Sequence, residues 1–188
     1  MRGFSTVELV ISVAIILSLS AIAIPTINKT LTAYRLNDAA TQVAGILKLT
    51  RFEAIRRNTP INCVNTQAGA NAPAKVWSDN NGDGVEDITE RQILLGSGAT
   101  LVPASTVPNA AALAAAVGVA TLTPVDPSSG RVKFDQRGAV VAVPPAVYVF
   151  YVGNIQENGF RAVVVLPSGS VQTWTYSGGA GNSWQPVS

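Results

Sequence analysis

Near the start of the chain lies a predominantly apolar stretch, Phe4–Ile24, which reads FSTVELVISVAIILSLSAIAI and contains one charged residue, Glu8. A helix of this length extends for about 32 Å, which matches the roughly 30 Å hydrocarbon core of a bilayer. Only residues 1–3 precede it, and the arginine among them favours a cytoplasmic N-terminus. We therefore expect residues 4–24 to cross a membrane once and the rest of the chain to lie outside the cytoplasm.

Three interpretations of this segment compete. Ala21-Ile22-Ala23 is a small-x-small cleavage site and favours a secretory signal peptide, but the basic region is short and Glu8 adjoins the apolar run. A plain membrane anchor explains the length, yet it leaves an unpartnered carboxylate near the start of the span, which is costly in lipid. In the third interpretation, cleavage after Gly3 frees an amino group at Phe4. That group then pairs with Glu8, within one subunit or between neighbouring helices.

The stretch Gly3–Val10, GFSTVELV, resembles the class III signal of type IV pilins and type II secretion pseudopilins. Those proteins carry Gly-Phe-Ser/Thr-x-x-Glu-Leu/Met before an apolar helix. A prepilin peptidase cuts them after the glycine and methylates the new N-terminus. The resemblance implies cleavage after Gly3, a modified Phe4 and a role for Glu8 in aligning subunits during assembly.

Beyond Pro25, the spacing of apolar residues predicts that the helix continues with one apolar face. Apolar positions recur at steps of three and four residues, with polar residues largely between them. They are Ile27, Leu31, Tyr34, Leu36, Ala40, Val43, Leu47 and Ala54. Pro25 is expected to bend or loosen the helix where it leaves the apolar layer, and it belongs with Phe4 and Glu8 in the predicted assembly segment. Arg56 and Arg57 suit a helix C-terminus, and Asn58-Thr59-Pro60 is a stop signal, so the predicted helix covers residues 4–57.

The sequence of the second half of this helix resembles one particular group within these pilins and pseudopilins. Leu49–Pro60, LTRFEAIRRNTP, is similar to the L-x-x-A-R-x-E-A-I-R-R-N region of the GspH/FimT group, although Phe52 stands where serine is common. That group contains minor pilins of type IV pili and the H-type pseudopilin of type II secretion. The resemblance implies a non-enzymatic subunit that helps to initiate or cap a filament. It also implies other pilins or pseudopilins, the prepilin peptidase and an inner-membrane assembly platform as partners. The expected location is the inner membrane with a periplasmic C-terminal domain, and then the filament.

After residue 60 the pattern changes to short β-branched and aromatic runs separated by turn residues, which indicates antiparallel strands. The predicted strands are Lys75–Trp77, Arg91–Leu95, Arg131–Phe134, Val140–Val143, Ala146–Val152, Phe160–Leu166 and Val171–Tyr176. Residues 98–127 are interpreted as a variable excursion that can carry a short helix. The predicted organisation is a leader at 1–3, the helix at 4–57 and a globular antiparallel β domain at 58–188. Its class is α+β, with a pilin-like sheet packed on the amphipathic half of the helix.

One loop fits the twelve-position calcium-binding template, which alternates oxygen ligands and places a glycine at the sharp turn. The candidate ligands are Asp79, Asn81, Asp83, Val85, Asp87 and Glu90. Five of the eleven acidic residues of the chain lie within these twelve positions, and a cation would relieve their repulsion. The alternative is a plain acidic hairpin tip, because Asn81-Gly82 and Asp83-Gly84 are ordinary hairpin-turn pairs. Calcium is the one cofactor that the sequence suggests.

Composition weakens the remaining classes of function. The chain has no histidine and one cysteine, Cys63, which excludes histidine-based catalysis and an intrachain disulfide; we interpret Cys63 as a buried apolar filler. A net charge of +2 gives no bulk signal for nucleic acid. Some FimT-like pilins take up DNA through a basic Gly-Arg-x-Arg motif. Here the matching place is Gly169–Gln172, and no basic residue follows Arg161, so we do not expect nucleic acid as a partner. A Sec-exported periplasmic or surface binding protein, a tethered enzyme and a DNA-uptake pilin remain the alternatives.

The aromatic residues near the C-terminus admit two interpretations. Trp174, Tyr176 and Trp184 either form an exposed partner-binding tail or cap the sheet.

Overall fold

The computed structural model describes residues 5–69, 72–96, 98–154, 159–177 and 183–187. In these ranges the chain forms a long helix, α1, followed by a β domain with two sheets and a short helix, α2 (Ala110–Val117). This architecture confirms the predicted α+β class.

Helix α1 covers Thr6–Arg57 and continues through Pro25. Its end confirms the predicted stop. Asn58 adopts the left-handed conformation, with φ of 53°, and its N–H bonds back to the last helical turn. Arg56 and Arg57 both pair with Glu53 in that turn. The predicted start at Phe4 and the predicted cleavage site at Gly3 lie outside the described residues.

The strands follow in chain order. They are β1 Ile61–Thr66, β2 Lys75–Asp79, β3 Gln92–Leu94, β4 Thr100–Leu101, β5 Thr123–Pro124, β6 Arg131–Phe134, β7 Tyr148–Asn154, β8 Gly159–Val165, β9 Val171–Ser177 and β10 Ser183–Pro186. A short 3₁₀ turn, Ala104–Thr106, precedes α2. The predicted strand at Val140–Val143 is wrong, because these residues form only an isolated bridge at Val140. Two prolines follow directly, and a proline has no N–H to give to a strand ladder.

The first sheet has the order β3-β2-β1-β6, and all of its pairs are antiparallel. The second has the antiparallel order β10-β9-β8-β7, and two short strands share the outer edge of β7. Strand β4 pairs antiparallel with its end, at Val152, and β5 pairs parallel with its start, at Tyr148. The predicted excursion at 98–127 therefore contributes α2, β4 and β5 to the domain.

The main core lies between the second half of α1 and the inner faces of both sheets. On α1 the buried face carries Leu36, Ala40, Val43 and Leu47, whereas Ile27, Leu31 and Tyr34 of the predicted stripe are exposed. Inner-face residues of both sheets meet this helix face, and they include Ile61, Cys63, Val76, Phe134, Phe150 and Val163. The domain is thus built on the helix from about residue 36 onward.

A second core covers the opposite face of the second sheet. Leu113 of α2 packs there with Phe160 and Val164. Trp174 and Trp184 are also buried in this cluster, and the Trp184 Nε1 donates to the Asn109 carbonyl at 3.1 Å. The interpretation of the aromatic residues as an exposed tail is therefore wrong, because α2 covers them and they cap the sheet.

Candidate functional site

The first half of α1 exposes its apolar side chains in every direction around the helix. Eleven large apolar side chains between residues 7 and 24 are exposed, each between 46% and 73%. They are Val7, Leu9, Val10, Ile11, Val13, Ile15, Ile16, Leu17, Leu19, Ile22 and Ile24. This helix is long and apolar enough to cross a membrane. Covering these side chains is worth on the order of 20 kcal/mol, so the segment requires an apolar surrounding that the described domain does not supply.

The polar side chains within this segment are satisfied by the helix itself. The hydroxyls of Ser12, Ser18 and Ser20 each donate to the carbonyl four residues earlier, at 2.8 Å. A hydroxyl bonded in this way needs no water. The segment can therefore leave water without losing side-chain hydrogen bonds at these three serines.

Glu8 lies in the first turn of α1 and is exposed. A carboxylate at this end of a helix is favoured by the helix dipole. In the part of the chain that the structure describes, no ion pair engages Glu8. Its predicted partner, the amino group of Phe4, lies outside that part. The backbone of Pro25 is helical, and its side chain also lies outside the description.

Two polar contacts that sequence reasoning missed fix α1 against the domain. Arg161 of β8 is buried on the sheet face that meets α1, and its Nε donates to the Asn37 Oδ1 at 2.6 Å. Burial lowers the pKa of this guanidinium. The available signal was a lone basic residue within the apolar run of β8, since a charged side chain inside a strand core requires a partner.

The second contact holds the end of the helix. The Arg51 Nε donates to the Gly138 carbonyl at 3.0 Å, across a tight approach between the turns at Gly138 and Gly169. The two contacts lie near opposite ends of the docked half of α1, so together they fix where the helix lies on the domain.

The acidic loop connects β2 to β3, and its first and last candidate ligands are buried. Asp79 is 1% exposed, and its carboxylate accepts the N–H groups of Gly82 and Gly84, at 2.7 and 3.2 Å, and the Asn62 amide at 3.2 Å. Glu90 is 6% exposed and accepts the N–H of Asn80 at 2.7 Å. These two side chains act as internal caps for the loop backbone.

The remaining candidate ligands are exposed. Asp83 accepts the N–H of Val85 at 2.8 Å, and Asp87 accepts the N–H of Thr89 at 2.9 Å. Within the described ranges, no three acidic, histidine or cysteine side chains are close enough to hold a metal ion. Calcium binding would require these carboxylates to exchange backbone donors for the ion, and the calcium and hairpin interpretations both stay predictions.

The loop, the helix and the two sheets can be compared with known proteins. The family model described as type II transport protein GspH matches residues 39–169, which is more than half of the chain. The chain belongs to the GspH family. The matched region starts in the docked half of α1 and ends at the turn after β8.

Solved structures give a more distant comparison. Two crystal structures of the type IV minor pilin FimU from Pseudomonas aeruginosa align with this GspH-family chain, both with a TM-score of 0.48. One has 16% sequence identity and covers 74% of this chain and 88% of FimU. The other has 17% identity and covers 73% and 91%. A comparison with curated protein sequences found no significant match.

Proposed function

We propose that this GspH-family protein is a non-enzymatic minor pilin or pseudopilin subunit that helps to initiate or cap a type IV pilus or type II secretion pseudopilus. One observation carries the proposal. Helix α1 is continuous, with an exposed apolar first half and a second half buried in the domain. Such a helix can be stored in a membrane and then exchange lipid for other helices of the same kind.

The proposed cleavage creates a charged group that can align neighbouring subunits, which apolar packing alone cannot do. Cleavage after Gly3 by a prepilin peptidase leaves a free amine at Phe4, one helical turn before Glu8. In an apolar surrounding, each charge is costly alone and favourable when paired. A subunit whose Glu8 faces the amine of a neighbour therefore enters the filament in one axial register.

The proposed location follows from the same helix. Residues 4–24 cross the inner membrane, the N-terminus faces the cytoplasm and the domain lies in the periplasm. An inner-membrane assembly platform then moves the subunit into the filament. A structural role also agrees with the state of Cys63, which is fully buried, since burial raises the pKa of its thiol to about 12 and keeps it protonated at neutral pH.

The first test is N-terminal sequencing of the purified native protein. We expect the mature chain to begin at Phe4. A chain that begins at Met1 contradicts processing by a prepilin peptidase, and a chain that begins near Ile24 identifies a Sec-exported protein instead.

The second test is Glu8→Ala. We expect the variant to remain in the membrane fraction, because the apolar segment is unchanged, and to enter sheared filaments about tenfold less, since about 1.4 kcal/mol of lost pairing corresponds to a factor of ten. Immunoblots of membrane and filament fractions measure both quantities.

The matched control is Ser12→Ala, one turn further along. It removes a hydroxyl that bonds only to the helix backbone and leaves the charge intact. Normal incorporation of Glu8→Ala, or an equal defect in Ser12→Ala, would contradict the pairing.

A further inference from the structure

The acidic loop between β2 and β3 presents two large apolar side chains to solvent. Val85 is 65% exposed and Ile88 is 94% exposed. The loop around them is fixed, because the carboxylates of Asp83 and Asp87 accept backbone N–H groups within it. A fixed loop loses little conformational entropy when a partner covers its apolar side chains. We call residues 83–88 the loop tip.

A second exposed apolar surface lies at the end of α1. Phe52 is 63% exposed and Ile55 is 42% exposed, and residues three positions apart lie on the same side of a helix. Arg56 follows Phe52 by four residues and is also exposed, whereas Ala54, on the other side of the helix, is fully buried. We call Phe52, Ile55 and Arg56, together with the exposed Lys48 one turn earlier, the helix-end patch.

The loop that carries the loop tip is negatively charged. Residues 79–90 contain five acidic side chains and no basic one. Glu86 forms an ion pair with Lys75, and in the described ranges no ion pair engages the other four carboxylates. The loop therefore keeps an excess of negative charge.

The end of α1 is positively charged. Residues 48–57 contain four basic side chains and one acidic side chain. The acidic one is Glu53, which pairs with both Arg56 and Arg57, so one carboxylate serves two guanidinium groups. The loop tip and the helix-end patch are thus complementary in charge, and each also offers exposed apolar side chains to the other. Complementary charge selects between partners and guides their encounter.

The two surfaces lie on different sides of α1 and do not cover each other within one chain, since both are exposed there. Strand β3, which follows the loop, ends at Leu94 beside Asp38 and Gln42. Ile55 instead approaches the turn at Gly138. At about 100° per residue, Gln42 and Ile55 point about 140° apart around the helix axis. Two copies that stand side by side in the same orientation can therefore bring the loop tip of one to the helix-end patch of the other.

We propose that the loop tip docks on the helix-end patch of a second copy of this chain. Ile88 then covers Phe52, and the loop carboxylates face Arg56. Such a contact is heterologous, because each copy uses its loop tip on one neighbour and its helix-end patch on another. It arranges the copies in a ring or in a helical row. The contact does not rest on the proposed filament role, because the residues that carry it lie outside the apolar half of α1.

Crosslinking between two differently tagged copies of the full chain tests this contact. One copy carries Val85→Cys and the other carries Lys48→Cys, which leaves Ile88 and Phe52 in place. Cys63 is kept, because it is fully buried. The copies are expressed together, and the membranes are treated with a short bismaleimide. We expect a product that carries both tags, and much less product between two Val85→Cys copies, because a heterologous contact keeps their loop tips apart.

The decisive variant is Ile88→Ser, added to the Val85→Cys copy. It removes an apolar side chain that is almost fully exposed, so we expect an intact fold and about tenfold less of the mixed product. The matched control is Val143→Ser, because Val143 is 99% exposed and belongs to neither surface. We expect this control to leave the yield unchanged. Circular dichroism checks that both variants are folded.

Charge reversal tests the electrostatic part of the contact. Arg56→Glu, added to the Lys48→Cys copy, should lower the yield of the mixed product about fivefold, because it places a carboxylate opposite the acidic loop. The control is Lys29→Glu, which reverses an exposed charge of α1 outside the helix-end patch and should leave the yield unchanged.

Three results would overturn the proposal. They are a mixed product no more abundant than the product between two Val85→Cys copies, equal yields with Ile88→Ser and Val143→Ser, and equal yields with Arg56→Glu and Lys29→Glu. Crosslinking of the Val85→Cys copy to a different protein, in place of the second copy, would also overturn it.

Discussion

The turns at Gly138 and Gly169 lie so close together that we expect Gly169→Ala to destabilise the protein much more than Gly118→Ala. Gly169 has φ of +77° and Gly118 has φ of +79°, so alanine adds the same left-handed strain at each, about 1 kcal/mol. A Cβ on Gly169 would lie 1.8 Å from the Gly138 carbonyl oxygen and 2.8 Å from the Arg51 Nε. A Cβ on Gly118 would have no atom within 4 Å. The two substitutions share their backbone strain and differ in their contacts.

The magnitude follows from the movement that the contact requires. The Gly138 turn must retreat by about 1 Å, which breaks its hydrogen bond with Arg51 at a cost of about 1–3 kcal/mol. Repacking of the helix end adds about 1–2 kcal/mol. We therefore expect Gly169→Ala to destabilise the domain by about 2–5 kcal/mol more than Gly118→Ala. For a chain of this size, that difference lowers the midpoint of thermal unfolding by roughly 5–15 °C.

Near-ultraviolet circular dichroism of the full chain in detergent measures this midpoint. All three tryptophans of the chain lie in the β domain, so the signal reports its unfolding and not that of the apolar half of α1. Equal midpoints for the two variants would refute the reasoning, because the shared strain would then account for the whole effect.

Two further predictions concern buried groups of the first sheet and of the acidic loop that joins β2 to β3. Burial raises the pKa of Cys63 to about 12, whereas the thiol of an unfolded chain loses its proton near pH 8.5. The protonated Cys63 thiol therefore makes its full contribution to stability below about pH 8.5. Between there and about pH 12, the free energy of unfolding falls by about 1.4 kcal/mol per pH unit. Urea unfolding at several pH values should show that the free energy of unfolding falls less steeply with pH in Cys63→Ala than in the wild-type chain. An equal slope in the two proteins would contradict the raised pKa of Cys63. For the acidic loop, the hydrogen bonds on Asp79 and Glu90 favour the hairpin interpretation, so we expect no calorimetric heat from millimolar calcium. A saturable heat that Asp79→Asn removes would establish the calcium interpretation instead.

Local sequence patterns predicted most of the elements that depend on local chemistry. The stop at Asn58 follows from capping and helix-dipole rules, and strand β6 has the predicted bounds, Arg131–Phe134. Both depend on residues that lie within a few positions of each other. Periodicity also identified the buried face of α1 from Leu36 onward.

The remaining features depend on contacts between distant parts of the chain. The excursion at 98–127 has little pattern of its own, yet it supplies α2, whose packing buries Trp174 and Trp184. Composition alone could not show which side of the sheet this helix would cover. The same limit applies to the Asn37–Arg161 contact, because its two residues are 124 positions apart. In the acidic loop, the sequence located the carboxylates, whereas the structure showed that Asp79 and Glu90 face the loop backbone.

The continuity of α1 links the orientation of the domain to the count of residues in the helix. Between Ile24, at the end of the predicted span, and Leu36, where docking begins, the chain is helical throughout. Each residue of a helix turns the chain by about 100° and advances it by about 1.5 Å. Inserting one residue in this connection would swing the domain about a quarter of a revolution around the helix axis and barely change its height. The direction in which the domain points from the apolar half of α1 is thus set by the number of residues between them, because the connecting helix is unbroken.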